Sequence, residues 1–213
     1  MDIVIRKRKS KTDSKGIATN KTHRRAAACV EVTSEHLYRR AYSEMTLLDL
    51  MGEFNWKEGQ SYHFITGGDI DGLSYLKAIL RQQPLEHCIL STWRMSGEDI
   101  LDVQNFVESG KIKKLDLYIG EVFPSSYKIE MGMLRDMYAN DGEKMGGGRL
   151  AVFRNHSKIC AGIGPKFAFG YEGSMNVNTN PRTEQCCVTI NRGLYDFYKE
   201  FFDGINSFEY GEI

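Results

Sequence analysis

The sequence predicts an α/β fold, a mixed β-sheet flanked by helices on both faces. Short apolar, β-branched and aromatic runs recur at intervals of roughly 25 to 35 residues, as in strand–helix alternation. Segments with helical spacing lie between these runs, and glycine clusters punctuate the joins. A chain of 213 residues with 41% apolar side chains can bury a sizeable core as one such domain.

In chain order, residues 34–52 are expected to form a helix, with Ser34 as N-cap and Leu37, Ala41, Met45 and Leu48 on one face. Residues 62–66 read as a strand that ends in Gly67-Gly68-Asp69-Ile70-Asp71-Gly72 and leads into a helix over 73–81. A strand at 88–93 and a helix at 97–108 follow, then a strand at 115–119 and a helix at 126–138. Gly146-Gly147-Gly148 marks a loop before one long strand, 149–160. Strands at 167–171 and 186–190 precede a closing helix, 194–202, whose Tyr195, Phe197, Tyr198, Phe201 and Phe202 have the spacing of a packed interface, either core or dimer contact. No internal repeat is visible.

The formal net charge is zero, but it is unevenly spread. Between Met1 and Arg25 nine Lys or Arg residues face only Asp2 and Asp13, which leaves that segment at +7. Residues 1–33 are therefore expected to form a basic arm and 34–213 the folded domain. The arm suits nucleic-acid phosphates, with binding that weakens as salt is added, or else is a solvated tail. An anionic membrane surface is a third target, disfavoured by the lack of a lipidation motif and of an apolar face. No apolar run reaches the ~20 residues of a membrane span. Asp2-Ile3-Val4-Ile5 runs straight into charge, unlike the apolar stretch of a secretory signal, so the expected address is the cytoplasm. Five cysteines (Cys29, Cys88, Cys160, Cys186, Cys187) lack metal-ligand spacing and read as reduced thiols. No metal or cofactor is expected. Asp69 and Asp71 read first as helix caps and second as a metal-binding carboxylate pair. The glycine runs lack the lysine and Ser/Thr of a phosphate loop.

The chemistry concentrates near the C-terminus. His156-Ser157-Lys158 on a strand would put imidazole and ammonium on one face, together with Arg154, because side chains alternate. Gly173-Ser174-Met175-Asn176 offers a turn where backbone and small polar groups can approach an anion. A nucleophile, a fixed cation and polar donors around one anionic centre fit phosphoryl transfer.

The pair His-x-Lys and Gly-Ser-x-Asn, with Glu184 downstream, resembles the signature of the phospholipase D superfamily. The resemblance implies a phospholipase D-like sandwich in which His156 is the nucleophile or the general acid. Lys158 and Asn176 would hold phosphoryl oxygens, Ser174 would support them, and Glu184 would orient a histidine. Arg154 and Gly173 are further candidates for binding phosphate. Two features depart from the family: Ile163 stands where an Asp is usual, and the distance from His156 to Gly173 is longer by three residues. The family uses two His-x-Lys motifs and this chain has one, so a homodimer pairing two copies of His156 is expected. The function implied is that of a metal-independent phosphodiesterase acting through a phosphohistidine, with nucleic acid as the leading substrate. A phospholipid headgroup is a second substrate, and a catalytically silent phosphate-binding module is the reading from another class. Trp56 and Trp93 could stack on bases, although burial is the expectation for Trp93 at a strand end.

Overall fold

The computed structural model describes residues 28–29, 36–37, 44–67, 70–178 and 182–208. Most of the basic arm, the expected N-cap Ser34 and Asp69 lie outside the described residues. The strands are β1 (Ala28–Cys29), β2 (His36–Leu37), β3 (Ser61–Thr66), β4 (His87–Thr92), β5 (Leu115–Gly120), β6 (Leu150–Phe153), β7 (Ile159–Ile163), β8 (Ala168–Gly173) and β9 (Glu184–Ile190). The helices are α1 (Glu44–Gly52), α2 (Gly72–Gln82), α3 (Gly97–Glu108), α4 (Phe123–Ser126), α5 (Lys128–Met137), α6 (Ala139–Gly142) and α7 (Arg192–Asp203).

The strands form one mixed sheet in the order β1-β3-β9-β8-β7-β4-β5-β6, with β2 also paired to β3. Strands β4, β5 and β6 run parallel, as crossover helices require. From β4 through β7, β8 and β9 to β3 every pairing is antiparallel. The fold class is thus the α/β arrangement that the sequence predicts. Strands β4 and β5 are buried along their whole length, the signature of a strand covered on both faces. A large apolar cluster holds Leu47, Leu76, Ile100 and Leu134 from α1, α2, α3 and α5. A separate, smaller one puts Tyr195, Tyr198 and Phe202 of α7 against Ile89, Tyr118 and Ala161.

Three local expectations change. His36–Leu37 pairs with β3 instead of opening a helix, because an edge strand offers its backbone a partner. The expected helix 126–138 breaks at Tyr127 into α4 and α5. The expected strand 149–160 is two strands, β6 and β7, that pair with different neighbours. Residues 154–158 between them form a loop. In α7 the aromatic set divides: Tyr195, Tyr198 and Phe202 are buried, while Phe197 and Phe201 are 62% and 56% exposed.

Asp71 takes the capping role. It is the N-cap of α2, and its carboxylate accepts from Ser74 N at 2.9 Å and from Ser74 Oγ at 3.0 Å. Burial nevertheless pushes its carboxyl up to about 6, with the Ser74 hydrogen bonds opposing. A folded-state value above the ordinary 3.8 means that the associated stability is present below that pH and lost as pH rises through about 6. The gap corresponds to at most about 3 kcal/mol. Asp71→Asn keeps a capping oxygen and removes the buried charge. It should raise the melting temperature at pH 7 and have little effect near pH 4, as read by thermal denaturation at both.

Candidate active site

The topology brings the chemistry to one end of the sheet. The C-terminal ends of β3, β4, β5, β6 and β8 and the N-terminal ends of β7 and β9 share that end, because their pairings alternate accordingly. There a cavity of about 510 Å³ is lined by Trp93, Arg94, His156, Lys158, Ser174, Asn176, Arg182, Thr183 and Glu184. All five residues given catalytic roles by the resemblance therefore line one cavity. Arg154 is exposed and is not among the lining residues. With the strand ending at Phe153, the alternation that would have put Arg154 beside His156 does not apply.

A buried asparagine shapes the loop that presents His156. Asn155 is 4% exposed. Its Nδ2 donates to Ser91 Oγ at 2.9 Å, Tyr118 O at 3.2 Å and Thr92 O at 3.4 Å. Its Oδ1 accepts from Ser157 N at 2.9 Å and Ser157 Oγ at 2.7 Å. Its backbone N–H donates to Glu121 Oε2 at 3.2 Å. One side chain thus ties the loop to β4, β5 and its own next turn, and turns His156 outward. The Lys158 ammonium donates to the His156 carbonyl at 2.6 Å and lies 3.0 Å from the ring Nδ1.

The second half of the site is the exit from β8. Gly173 donates its N–H to Lys158 O at 3.2 Å, which joins the two motifs directly. That amide is spent on the sheet, so Gly173 acts as a close crossing point rather than a phosphate donor. A Cβ there would overlap the Gln185 carbonyl of β9. Ser174 Oγ donates to Glu184 Oε2 and accepts from Gln185 N at 3.1 Å. Glu184 thus touches Ser174 and acts electrostatically on Lys158. Asn176 is 9% exposed and lines the cavity, and its buried Oδ1 has no hydrogen-bond partner among the described residues. The loop itself is pinned by Gly72 N to Asn176 O at 3.0 Å and Val177 N to Thr92 Oγ1 at 3.3 Å.

Ile163, which stands where the resemblance implies an Asp, falls away from the cavity. Ile163 ends β7 opposite His87 and Ala168, at the far end of the sheet, and packs against the α7 cluster. Between the two motifs lies the β7–β8 hairpin, whose turn closes with Gly164 N to Phe167 O at 3.1 Å. Of the other described histidines, His87 is buried at that far end, 2.8 Å from Asp116 Oδ2 and 2.7 Å from Tyr195 OH. His63 lies on β3, 3.7 Å from Cys187 Sγ. The sequence alone gives no role to Asn155, Ser157, Arg94 or Arg182, and predicts a buried Trp93 at its strand end. Trp93 is half-buried and lines the cavity.

Burial lowers the Lys158 ammonium below the ordinary lysine value, and the nearby Glu184 carboxylate opposes this. Removing that charge with Glu184→Gln should lower Lys158 further. The alkaline limb of any Lys158-dependent activity is then expected to move to lower pH, measured as kcat/KM against pH.

No family model matches the chain, and no curated protein matches it. Among solved structures, the fold resembles polyphosphate kinase from Porphyromonas gingivalis. The TM-score is 0.51 at 13% identity, over 72% of this chain and 27% of that one. TrmBL2, described as an archaeal chromatin protein with a novel mode of DNA binding, gives a TM-score of 0.44 at 13% identity, over 75% of this chain and 57% of that one. The chain thus spans about a quarter of the first protein's length and just over half of the second's. At 13% identity the likeness to polyphosphate kinase concerns the fold alone.

Proposed function

We propose that the chain is a metal-independent phosphodiesterase acting on nucleic acid, with His156 as the attacking group. The observation that carries this reading is the cavity lining. His156, Lys158, Ser174, Asn176 and Glu184 surround one space, and Arg94, Lys158 and Arg182 outnumber the one carboxylate there. Such a site favours an anion, and fixed cations can neutralise charge that develops on phosphoryl oxygens. The lining contains one large aromatic ring and no aliphatic side chain. That suits a sugar–phosphate better than acyl chains.

In this reading a phosphate draws the Lys158 ammonium toward its oxygens and frees the ring nitrogen that it covers. The imidazole attacks phosphorus, a P–N bond forms and the bond to the leaving oxygen breaks. That oxygen takes a proton from a second histidine. Water, deprotonated by the same second group, then attacks phosphorus and releases the imidazole. Among the described residues no other histidine lines the cavity, so the second group is the partner subunit's His156 in a homodimer. If so, activity needs two intact copies. Subunits exchanged at a 1:1 ratio with His156→Ala should retain about a quarter of the wild-type activity, the fraction of doubly intact pairs in a random C2 dimer. Retention of half would show independent sites.

The test of the activity is cleavage of single- and double-stranded oligonucleotides in excess EDTA. Scission that persists, with an affinity that falls as salt rises, supports the reading. Scission only with added magnesium overturns the mechanism. Salt-sensitive binding without turnover points to the silent module, and hydrolysis of lipid headgroups alone moves the substrate.

A further inference from the structure

We propose that the Trp93 indole is a stacking platform for a nucleobase beside the reacting phosphate, which makes the substrate a single-stranded nucleic acid. The inference rests on the phosphodiesterase reading and adds the class of strand.

Trp93 follows directly on β4, whose six residues are all buried. At that point the chain leaves the sheet, and the largest side chain available is set half-buried into a lining made otherwise of charged and polar groups. An indole in that position keeps apolar surface in water that core packing would have covered.

The ring is also held in place. A Cβ on Gly120, the last residue of β5, would lie 2.6 Å from the indole Cδ1, 3.3 Å from its Nε1 and 2.9 Å from Asn155 O. The missing side chain of Gly120 is therefore the space that the ring occupies. On its flank the His156 ring stands with its centroid 5.5 Å away, tilted by 53°. The Arg94 guanidinium lies 6.0 Å from the indole centroid, within cation–π range, and its Nη1 reaches Tyr127 OH at 3.5 Å. The indole is thus fixed against backbone and set next to the imidazole and a cation.

A flat aromatic surface beside a phosphate-binding set recognises any base by its π-face, without regard to sequence. A base within a duplex is already stacked between neighbours and cannot reach such a surface. A base in a single strand can be splayed onto it. With the base on Trp93, its phosphate falls toward His156, Lys158 and Asn176.

The chain has two tryptophans, and Trp56 is stacked on Phe167 at 5.0 Å and 9°. Trp56→Phe keeps that stack and leaves Trp93 as the sole reporter. In this background a single-stranded oligonucleotide should quench Trp93 fluorescence to saturation. A fully abasic strand of the same length should bind roughly tenfold more weakly, in keeping with the loss of a base–aromatic stack, and should leave the emission unchanged. Trp93→Leu should weaken the base-bearing strand by the same factor and leave the abasic strand unaffected, while Trp93→Phe restores most of the difference. Equal binding of the two strands, or equal weakening of both by Trp93→Leu, would show that the ring only buttresses His156, and would overturn the stacking role with the phosphate site intact. If neither strand binds, the nucleic-acid reading falls with it.

Discussion

His156→Ala is expected to abolish strand scission while leaving the fold and oligonucleotide binding in place. The side chain is exposed, and its contacts are the Lys158 ammonium and the tilted Trp93 ring. Its removal should change stability by no more than about 0.5 kcal/mol, as for most surface substitutions. On the proposed reading, binding energy comes from Lys158, Asn176, the cavity arginines and Trp93, which the substitution leaves in place. The chemical step loses its nucleophile, and turnover should fall by about 10³-fold or more. Thermal denaturation, oligonucleotide affinity and a cleavage assay in EDTA separate these three quantities. Comparable loss of binding and turnover would show that His156 acts mainly by holding the ligand.

Asn155→Ala is expected to give the largest effect on stability. It takes a partner from three segments at once: the Tyr118 and Thr92 carbonyls lose the amide, the Ser157 N–H loses its acceptor, and the Ser91 and Ser157 hydroxyls keep only each other at 2.7 Å. Buried groups left without partners cost about 1–3 kcal/mol each, partly relieved by water and local movement. A net loss of about 3–5 kcal/mol is expected, on the order of 10 °C in melting temperature for a domain of this size. Below the transition, turnover should still fall further than affinity, because the loop that aims His156 is no longer pinned. Asn155→Asp should not rescue either property. It can accept from Ser157, but it presents an anion to two carbonyl oxygens.

These two residues also show what the sequence made legible. Strands β4 and β5 and helix α3 are readable because continuous apolar runs and a Ser96–Asp99 capping box mark them locally. The split between β6 and β7 was readable too. Arg154, Asn155, His156, Ser157 and Lys158 are five polar residues in succession, which a half-buried strand cannot accommodate. The flanking apolar runs hide that signal. His156 and Lys158 still meet, through the Lys158 contact with the His156 carbonyl and not through alternation. The motif residues were legible because their types are chemical. Asn155 was not, because its role depends on three segments far apart in sequence. Trp93 reads as core from its strand and becomes cavity wall only when Gly120, 27 positions later, supplies the space.

The most direct test is to trap the intermediate. The protein would be mixed with a single-stranded oligonucleotide in excess EDTA, quenched rapidly under alkaline denaturing conditions that preserve a P–N bond, and its peptides weighed. A nucleotide adduct on His156, absent from His156→Ala, is the predicted result. Turnover with no adduct, or with the adduct on another residue, would contradict the histidine mechanism.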